Sequence, residues 1–176
     1  MVKLYGMAGI TRKEQAQNEL LPRAVSEFWG LSELPAVTKL ALGKPVFQSA
    51  PELHFNLSHS GTFSLCALSE QPVGVDIEVL RPRREHLAEQ ILSPGELDWY
   101  QKNGADLAAL LTLWTRKEAW CKKSGQGLTF PVREITPPLP GDGDEKIMRS
   151  YAGEGWRAAV CGAWPYAAEI IWLTPQ

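Results

Sequence analysis

Residues 73–79, VGVDIEV, alternate strictly between apolar and polar positions. That period of two specifies a half-buried strand with Val73, Val75, Ile77 and Val79 against a core. The opposite face carries Gly74, Asp76 and Glu78, so two carboxylates stand side by side, about 6.5 Å apart at their α-carbons. At neutral pH they repel each other unless a cation answers them. Any fold for this chain must therefore bury one face of this strand and supply positive charge to the other.

The chain has 176 residues, enough for one domain or two small lobes with a sizeable core. Its 44% hydrophobic and 22% charged residues are ordinary for a globular protein, and the net charge of −2 gives no global argument for nucleic-acid binding. Basic residues cluster instead as Arg12, Lys13 and Arg23, as Arg81, Arg83 and Arg84, and as Arg116, Lys117, Lys122 and Lys123. Separately these read as solvated surface; converging, they would attract an anion. Cys66, Cys121 and Cys161 lack metal-site spacing, and the first and last of them read as buried, reduced core residues. The N-terminus has no signal-peptide core and no apolar run reaches membrane-spanning length, so the expected setting is soluble and cytoplasmic.

Along the chain, Val2–Ile10 reads as a strand and Thr11-Arg12-Lys13-Glu14 as a capping box. The box opens a helix bearing Ala16, Leu20, Ala24 and Phe28, which Pro22 should kink or split and Gly30 should end. A Gly/Pro-punctuated segment, LALGKPVFQSAPE, leads to FNLSHSG at 55–61. Phe63–Ser69 and Pro72–Val79 are expected to form a hairpin. After RPRRE comes a short helix, then a second capping box in Ser93-Pro94-Gly95-Glu96, then a long helix from Asp106 to Ser124 closed by Gly125. Strands are expected around 131–136, 147–151, 156–164 and 169–173, with 136–145 an exposed, mobile loop. The order of elements indicates an α+β fold.

On the long helix, Leu107, Leu110, Leu111, Trp114 and Cys121 share one stripe, and Glu118 falls in its middle. A carboxylate there needs a partner; Lys122, one turn on, is the simplest. Together with Asp76 and Glu78, however, Glu118 completes an oxygen-only set suited to magnesium, whereas His54, His59 and His86 have no zinc spacing. Flanking Lys122 and Lys117 would then suit a phosphate- or pyrophosphate-bearing substrate. Ser58 and His59 are adjacent on an extended segment and so point to opposite faces, which disfavours a nucleophilic pair. Contact with a ligand phosphate or the capping of a turn suits Ser58 better, and Lys44 in GKP reads alone as a surface lysine.

Taken in order, GKP, FNLSHS, VGVDIE and WTRKEAWCK resemble the surfactin-type 4'-phosphopantetheinyl transferases. The resemblance runs from about Lys13 to the C-terminus, through GQGL at 125–128 and the AAVCGAW segment. It implies transfer of the 4'-phosphopantetheine arm of coenzyme A to a serine of an acyl- or peptidyl-carrier protein, with adenosine 3',5'-bisphosphate released. It also implies a monomer of two similar α+β lobes related by a pseudo-twofold, 1–80 and 81–176, with the cofactor between them and neither nucleic acid nor membrane as partner. The N-terminal lobe is expected to be shortened.

By position, Asp76, Glu78 and Glu118 match the magnesium ligands, and Glu118 also matches the general base. Lys122 matches the lysine on the coenzyme A phosphates, Ser58 and His59 match residues near its 3'-phosphate and diphosphate, and Lys44 matches the lysine beside the adenine. Lys3, Arg12 and Lys13 are the remaining N-terminal candidates for the phosphates. The match departs at Asn18 and Glu19, where the family usually offers arginine and a hydroxyl, and at Gln126, where lysine is common. Arg81, Arg83, Arg84 and Arg116 would steer an acidic carrier. A magnesium-dependent diphosphate hydrolase and a non-catalytic carrier-binding homologue remain alternatives.

Overall fold

The computed structural model describes residues 1–84, 86–128, 131–141 and 146–175, and of Lys13 the backbone only. Its strands are β1 (Lys3–Ala8), β2 (Val37–Lys39), β3 (Pro45–Phe47), β4 (His54–Ser60), β5 (Phe63–Ser69), β6 (Gly74–Val79), β7 (Met148–Gly153), β8 (Trp156–Cys161) and β9 (Ile171–Leu173). The helices are α1 (Lys13–Gln15), α2 (Leu21–Trp29), α3 (Leu87–Ile91), α4 (Pro94–Lys102) and α5 (Leu107–Ser124). One sheet runs β4-β5-β1-β9, a second runs β6-β8-β7, and β2 and β3 form a separate pair. This mixture of mainly antiparallel sheets and segregated helices is the expected α+β class.

The alternation of each inner strand divides its residues between two cores. Val2, Leu4, Leu65 and Ala67 of the first sheet meet Val75, Ile77, Ala158 and Val160 of the second, so the sheets pack face to face. The first sheet's outer residues, Tyr5, Met7, Cys66 and Leu68, pack on Leu20, Leu21, Ala24 and Val25. Behind the second sheet, Ala159, Cys161 and Met148 pack on Ala119 of α5. The far side of α5, through Leu110 and Leu113, packs on Ala88, Ile91, Leu92 and Val132. Helix α5 is thus enclosed on two sides, a wider burial than one stripe describes.

Helix α5 begins with the Asp106 side chain accepting from Ala109 N at 2.8 Å and ends at Gly125 in the left-handed conformation, φ 74°. The Ser93 capping box forms in full, with both reciprocal bonds to Glu96. The Thr11 box does not: the helix starts one residue later, Arg12 takes the cap position without a side-chain bond, and Gln15 Oε1 accepts from Thr11 N instead. Just before Pro22 the helical run is divided. A π-helical turn (Ala16–Leu20) joins α1 to α2, and Leu21 N donates to Ala16 O. Widening the turn just before Pro22 relieves the clash its ring would make with the preceding carbonyls.

Three further expectations change. β5 does not pair with β6: it pairs with β4 through the Gly61–Thr62 turn and with β1, while β6 crosses to the facing sheet and pairs with β8. Alternation reports which face is buried and not which strand lies alongside. The expected strand at 131–136 is a short 3-10 turn, Val132–Glu134, because Val132 O and Ile135 O are turned to a buried ammonium, Lys117 Nζ. The start of the 136–145 loop is packed, with Pro137 buried and Pro138 O bonded to Arg116; residues 142–145 lie outside the described residues. No helix among the described residues is long and apolar enough to cross a membrane.

Candidate active site

The carboxylates of β6 are answered by two different cations. Lys122 Nζ lies 2.6 Å from Asp76 Oδ1 and 3.1 Å from Ser58 Oγ. Arg83 lies 2.6 Å from Glu78 Oε2, and Ser60 Oγ donates to the same oxygen at 2.9 Å. Lys122 therefore bonds to the strand, and not to Glu118 along its own helix as the i,i+4 spacing suggests. Ser58 Oγ donates to Asp76 Oδ1 at 2.8 Å.

Helix and strand come this close because of Gly74. A Cβ there would stand 2.2 Å from Ala119 O and 2.4 Å from Lys123 N, so only glycine lets α5 lie directly on β6. The same approach brings Glu118 to the strand's carboxylates. Burial, then the charges of Asp76 and Glu78, push the Glu118 carboxyl up to about 7, with Lys122 opposing them. Burial also lifts the Asp76 carboxyl above its usual range, and the Lys122 ammonium and Ser58 hydroxyl offset that only in part.

A cleft opens beside this cluster. One part, of roughly 390 Å³, is lined by residues including Glu14, Gln17, Lys39, Ser58 and His59. An adjoining part of roughly 190 Å³ includes Leu42, Lys44, Lys122, Gly125 and Gly127, and the two share Gly43, Pro45, Asn56 and Leu57. Lys44 Nζ donates to Lys123 O at 2.6 Å and Val73 O at 3.3 Å, tying the β2–β3 tip to the end of α5; burial lowers its pKa. The α5 C-terminus favours a cation there. His59 Nε2 lies 3.2 Å from Ile10 O. Ser58 and His59 thus line one part of the cleft, and Lys44 and Lys122 the adjoining part.

Other basic candidates lie elsewhere. Lys117 does not flank the carboxylates toward a ligand: it is fully buried, 2.7 Å from Glu96 Oε2. One residue along a helix turns a side chain by about 100°, enough to take it off the face that Glu118 presents to β6. Arg116 is buried too, donating to Pro138 O and Ser150 Oγ, and is withdrawn from any steering surface. Lys3 lies on β1 opposite Leu68, Arg12 is exposed at the cap of α1, and the Lys13 side chain lies outside the described residues. Arg81 and Arg84 remain exposed.

Sequence reasoning missed Asn56 and Ser60, and it placed Arg83 on a carrier-steering surface where the structure has it holding Glu78. The signal for the first two was present: Asn56, Ser58 and Ser60 recur every second residue on a face otherwise facing a core.

As a metal site the arrangement offers a suitable donor without a finished cluster. Among the described residues no group of three or more His, Cys, Asp and Glu side chains is gathered closely enough to hold a metal ion. Asp76 Oδ2, however, is buried without a hydrogen-bond partner, an acceptor left open beside two further carboxylates. A hard divalent cation matches that donor chemistry.

Residues 72–164, more than half of the chain, match the model of the 4'-phosphopantetheinyl transferase superfamily. A 4'-phosphopantetheinyl transferase of Bacillus subtilis is 35% identical over 136 residues, covering 70% of this chain and 61% of that protein. The psf-1 4'-phosphopantetheinyl transferase of Bacillus pumilus is 34% identical over 142 residues, 73% of this chain and 61% of that protein. The AcpT 4'-phosphopantetheinyl transferase of Salmonella typhi is 41% identical over 151 residues, 83% of this chain and 74% of that protein. The matched region spans about three fifths of the length of the Bacillus relatives. On the family match, these identities and the placement of the motif residues around one cleft, the chain belongs to the 4'-phosphopantetheinyl transferase superfamily.

Proposed function

We propose that this protein transfers the 4'-phosphopantetheine arm of coenzyme A to a serine of an acyl- or peptidyl-carrier protein. The observation that carries the reading is the pairing of Lys122 and Asp76 at the cleft, beside a Glu118 carboxyl whose pKa is pushed up to about 7. Burial thus moves this carboxyl toward the pH at which a general base works best. In the reaction the carrier serine oxygen bonds to the phosphorus bearing the pantetheine arm. The bond from that phosphorus to the bridging oxygen breaks, adenosine 3',5'-bisphosphate leaves, and the serine proton passes to Glu118 directly or through water.

Lys122 supplies a fixed point charge to the diphosphate from the cleft wall. Ser58 and His59 are assigned to the neighbourhood of the cofactor phosphates, and Lys44, beside the exposed Leu42, to the adenine side. Magnesium would be held by Asp76, Glu78 and Glu118, and when bound it neutralises charge on the diphosphate as a Lewis acid; the partnerless Asp76 Oδ2 supports this.

The cleft draws its walls from residues 14–59 and 121–127, in keeping with a cofactor between lobes 1–80 and 81–176 that exchange strands, since β6 joins the sheet of the later strands and β9 that of the earlier ones. Each of the two sheets is backed by a helix, in keeping with a pseudo-twofold. Exposed Arg81 and Arg84 offer an acidic carrier its first contact. The three unpaired cysteines fit a reducing, cytoplasmic setting, and we take the working unit to be a monomer.

The deciding experiment incubates the protein with magnesium, coenzyme A and a panel of apo carrier proteins. A mass gain of one phosphopantetheine unit on a carrier is expected. No gain on any carrier by folded protein overturns the reading, and phosphate-ester release without a carrier would identify a hydrolase instead.

A further inference from the structure

Strand β6 is an edge strand: β8 pairs with one side of it, and the amides of Val75, Ile77 and Val79 face the other. Buried edge amides need acceptors. They find them on β4, the edge strand of the facing sheet, through side chains in place of a backbone ladder. Val75 N donates to Asn56 Oδ1 at 2.8 Å, Ile77 N to Ser58 Oγ at 3.3 Å and Val79 N to Ser60 Oγ at 3.2 Å. Asn56, Ser58 and Ser60 are 5%, 7% and 5% exposed, so this ladder is shielded from water.

Each serine has a second task. The Ser58 hydroxyl donates to Asp76 and the Ser60 hydroxyl to Glu78, so the group that anchors the strand also aims the adjoining carboxylate. A hydroxyl has one proton and two acceptor sites. Ser58 spends its proton on Asp76 and accepts from Ile77 N and Lys122 Nζ, which fills its capacity. Ser60 holds Glu78 against Arg83 in the same way at the other end.

We propose that Ser60 is a positioning residue for Glu78, the end member of an Asn56–Ser58–Ser60 ladder that sets where the two β6 carboxylates stand. Its consequence for catalysis rests on the transferase reading; its structural content does not. A backbone ladder would fix the strand and leave the carboxylate torsions free, whereas this one fixes both. Misplacement by about 1 Å in such a site costs on the order of 100-fold in rate.

Ser60→Ala and Ser60→Thr test it, with the urea midpoint confirming that each is folded. In Ser60→Ala the Val79 amide should exchange with solvent at least about ten times faster in the substrate-free protein. Mg2+ affinity measured by calorimetry should weaken roughly 10-fold, as for the loss of partners that orient metal ligands. With carrier and coenzyme A, kcat should fall about 10- to 100-fold while KM for coenzyme A moves less than about twofold. Ser60→Thr, which keeps the hydroxyl, should restore all three. Wild-type exchange at Val79 in Ser60→Ala, or a folded Ser60→Thr as impaired as the alanine variant, overturns the proposal. If the wild type modifies no carrier yet exchange and Mg2+ affinity respond as stated, the positioning role stands and the transferase reading falls.

Discussion

Lys122 on α5 and Asp76 on β6 form an ion pair at 2.6 Å in which 6% of the aspartate side chain and 30% of the lysine side chain are exposed. The pair closes the helix onto the strand and favours the charged form of a carboxyl that burial pushes toward its protonated form. Removing the lysine leaves the buried carboxyl with Ser58 alone. Lys122→Met should lower the unfolding free energy at pH 7 by roughly 2–3 kcal/mol, below the full range for buried pairs because the lysine is partly solvated. Adding Asp76→Asn should recover part of the loss. Urea denaturation of the two single variants and the double variant measures the coupling; strictly additive losses would show that the pair carries no interaction energy.

Gly74 makes the pair possible. In Gly74→Ala the new methyl meets backbone atoms of Ala119 and Lys123, neither of which can rotate away. Helix α5 must lift, at a cost of roughly 1–3 kcal/mol. The lift also draws Lys122 and Glu118 away from β6, so transfer activity should fall more than stability alone explains. Carrier modification at a temperature where the variant is fully folded, compared with its thermal midpoint, checks this. An alanine variant with wild-type activity would show that α5 tolerates displacement.

Much of the site was legible because it lies in two strong periodicities: the period-two strand carrying Asp76 and Glu78, and the helical stripe carrying Glu118 and Lys122. The period-two rule also separated Ser58 from His59 correctly. It could not tell a hairpin from a crossover, since Val75 and Ile77 bury the same face whether β5 lies beside them or across the sandwich. Lys117 and Arg116 escaped because α5 is enclosed on two sides, and a charged residue in a charged sequence cluster looks solvated until its partners fold over it. Glu96, some twenty residues earlier, is such a partner. The β4 ladder escaped for a related reason: asparagine and serine on a core-facing register read as loop chemistry unless an open strand edge lies within reach.

The Lys117–Glu96 pair, with 0% and 3% of the side chains exposed, is structural. It also explains the turn at 132–134, whose flanking carbonyls complete the ammonium's bonds. Lys117→Met should cost about 3–5 kcal/mol, since Glu96 is left charged and buried. Glu96→Gln in the same chain should return about 1–2 kcal/mol, because the amide oxygen can still accept from Ser93 N while the orphaned charge is gone. Chemical denaturation decides; a double variant less stable than Lys117→Met would mean that the capping bond, and not the ion pair, is the larger contribution.

Glu118 makes the stability of the ligand-free protein depend on pH in a definite direction. Its carboxyl is raised from the ordinary 4.5 to about 7 by burial and by Asp76 and Glu78. Between these values the folded protein holds a proton that the unfolded chain has released, so stability from this group is complete below about pH 4.5 and is lost as pH rises through 7. With the residue only partly buried, the loss should amount to roughly 1–2 kcal/mol. Urea midpoints measured from pH 5 to 8 in EDTA, for wild type and for Glu118→Gln, isolate it: the two curves should diverge as pH rises, with the glutamine variant the more stable at pH 8. Parallel curves would mean that Glu118 titrates at its ordinary value in the folded, metal-free protein.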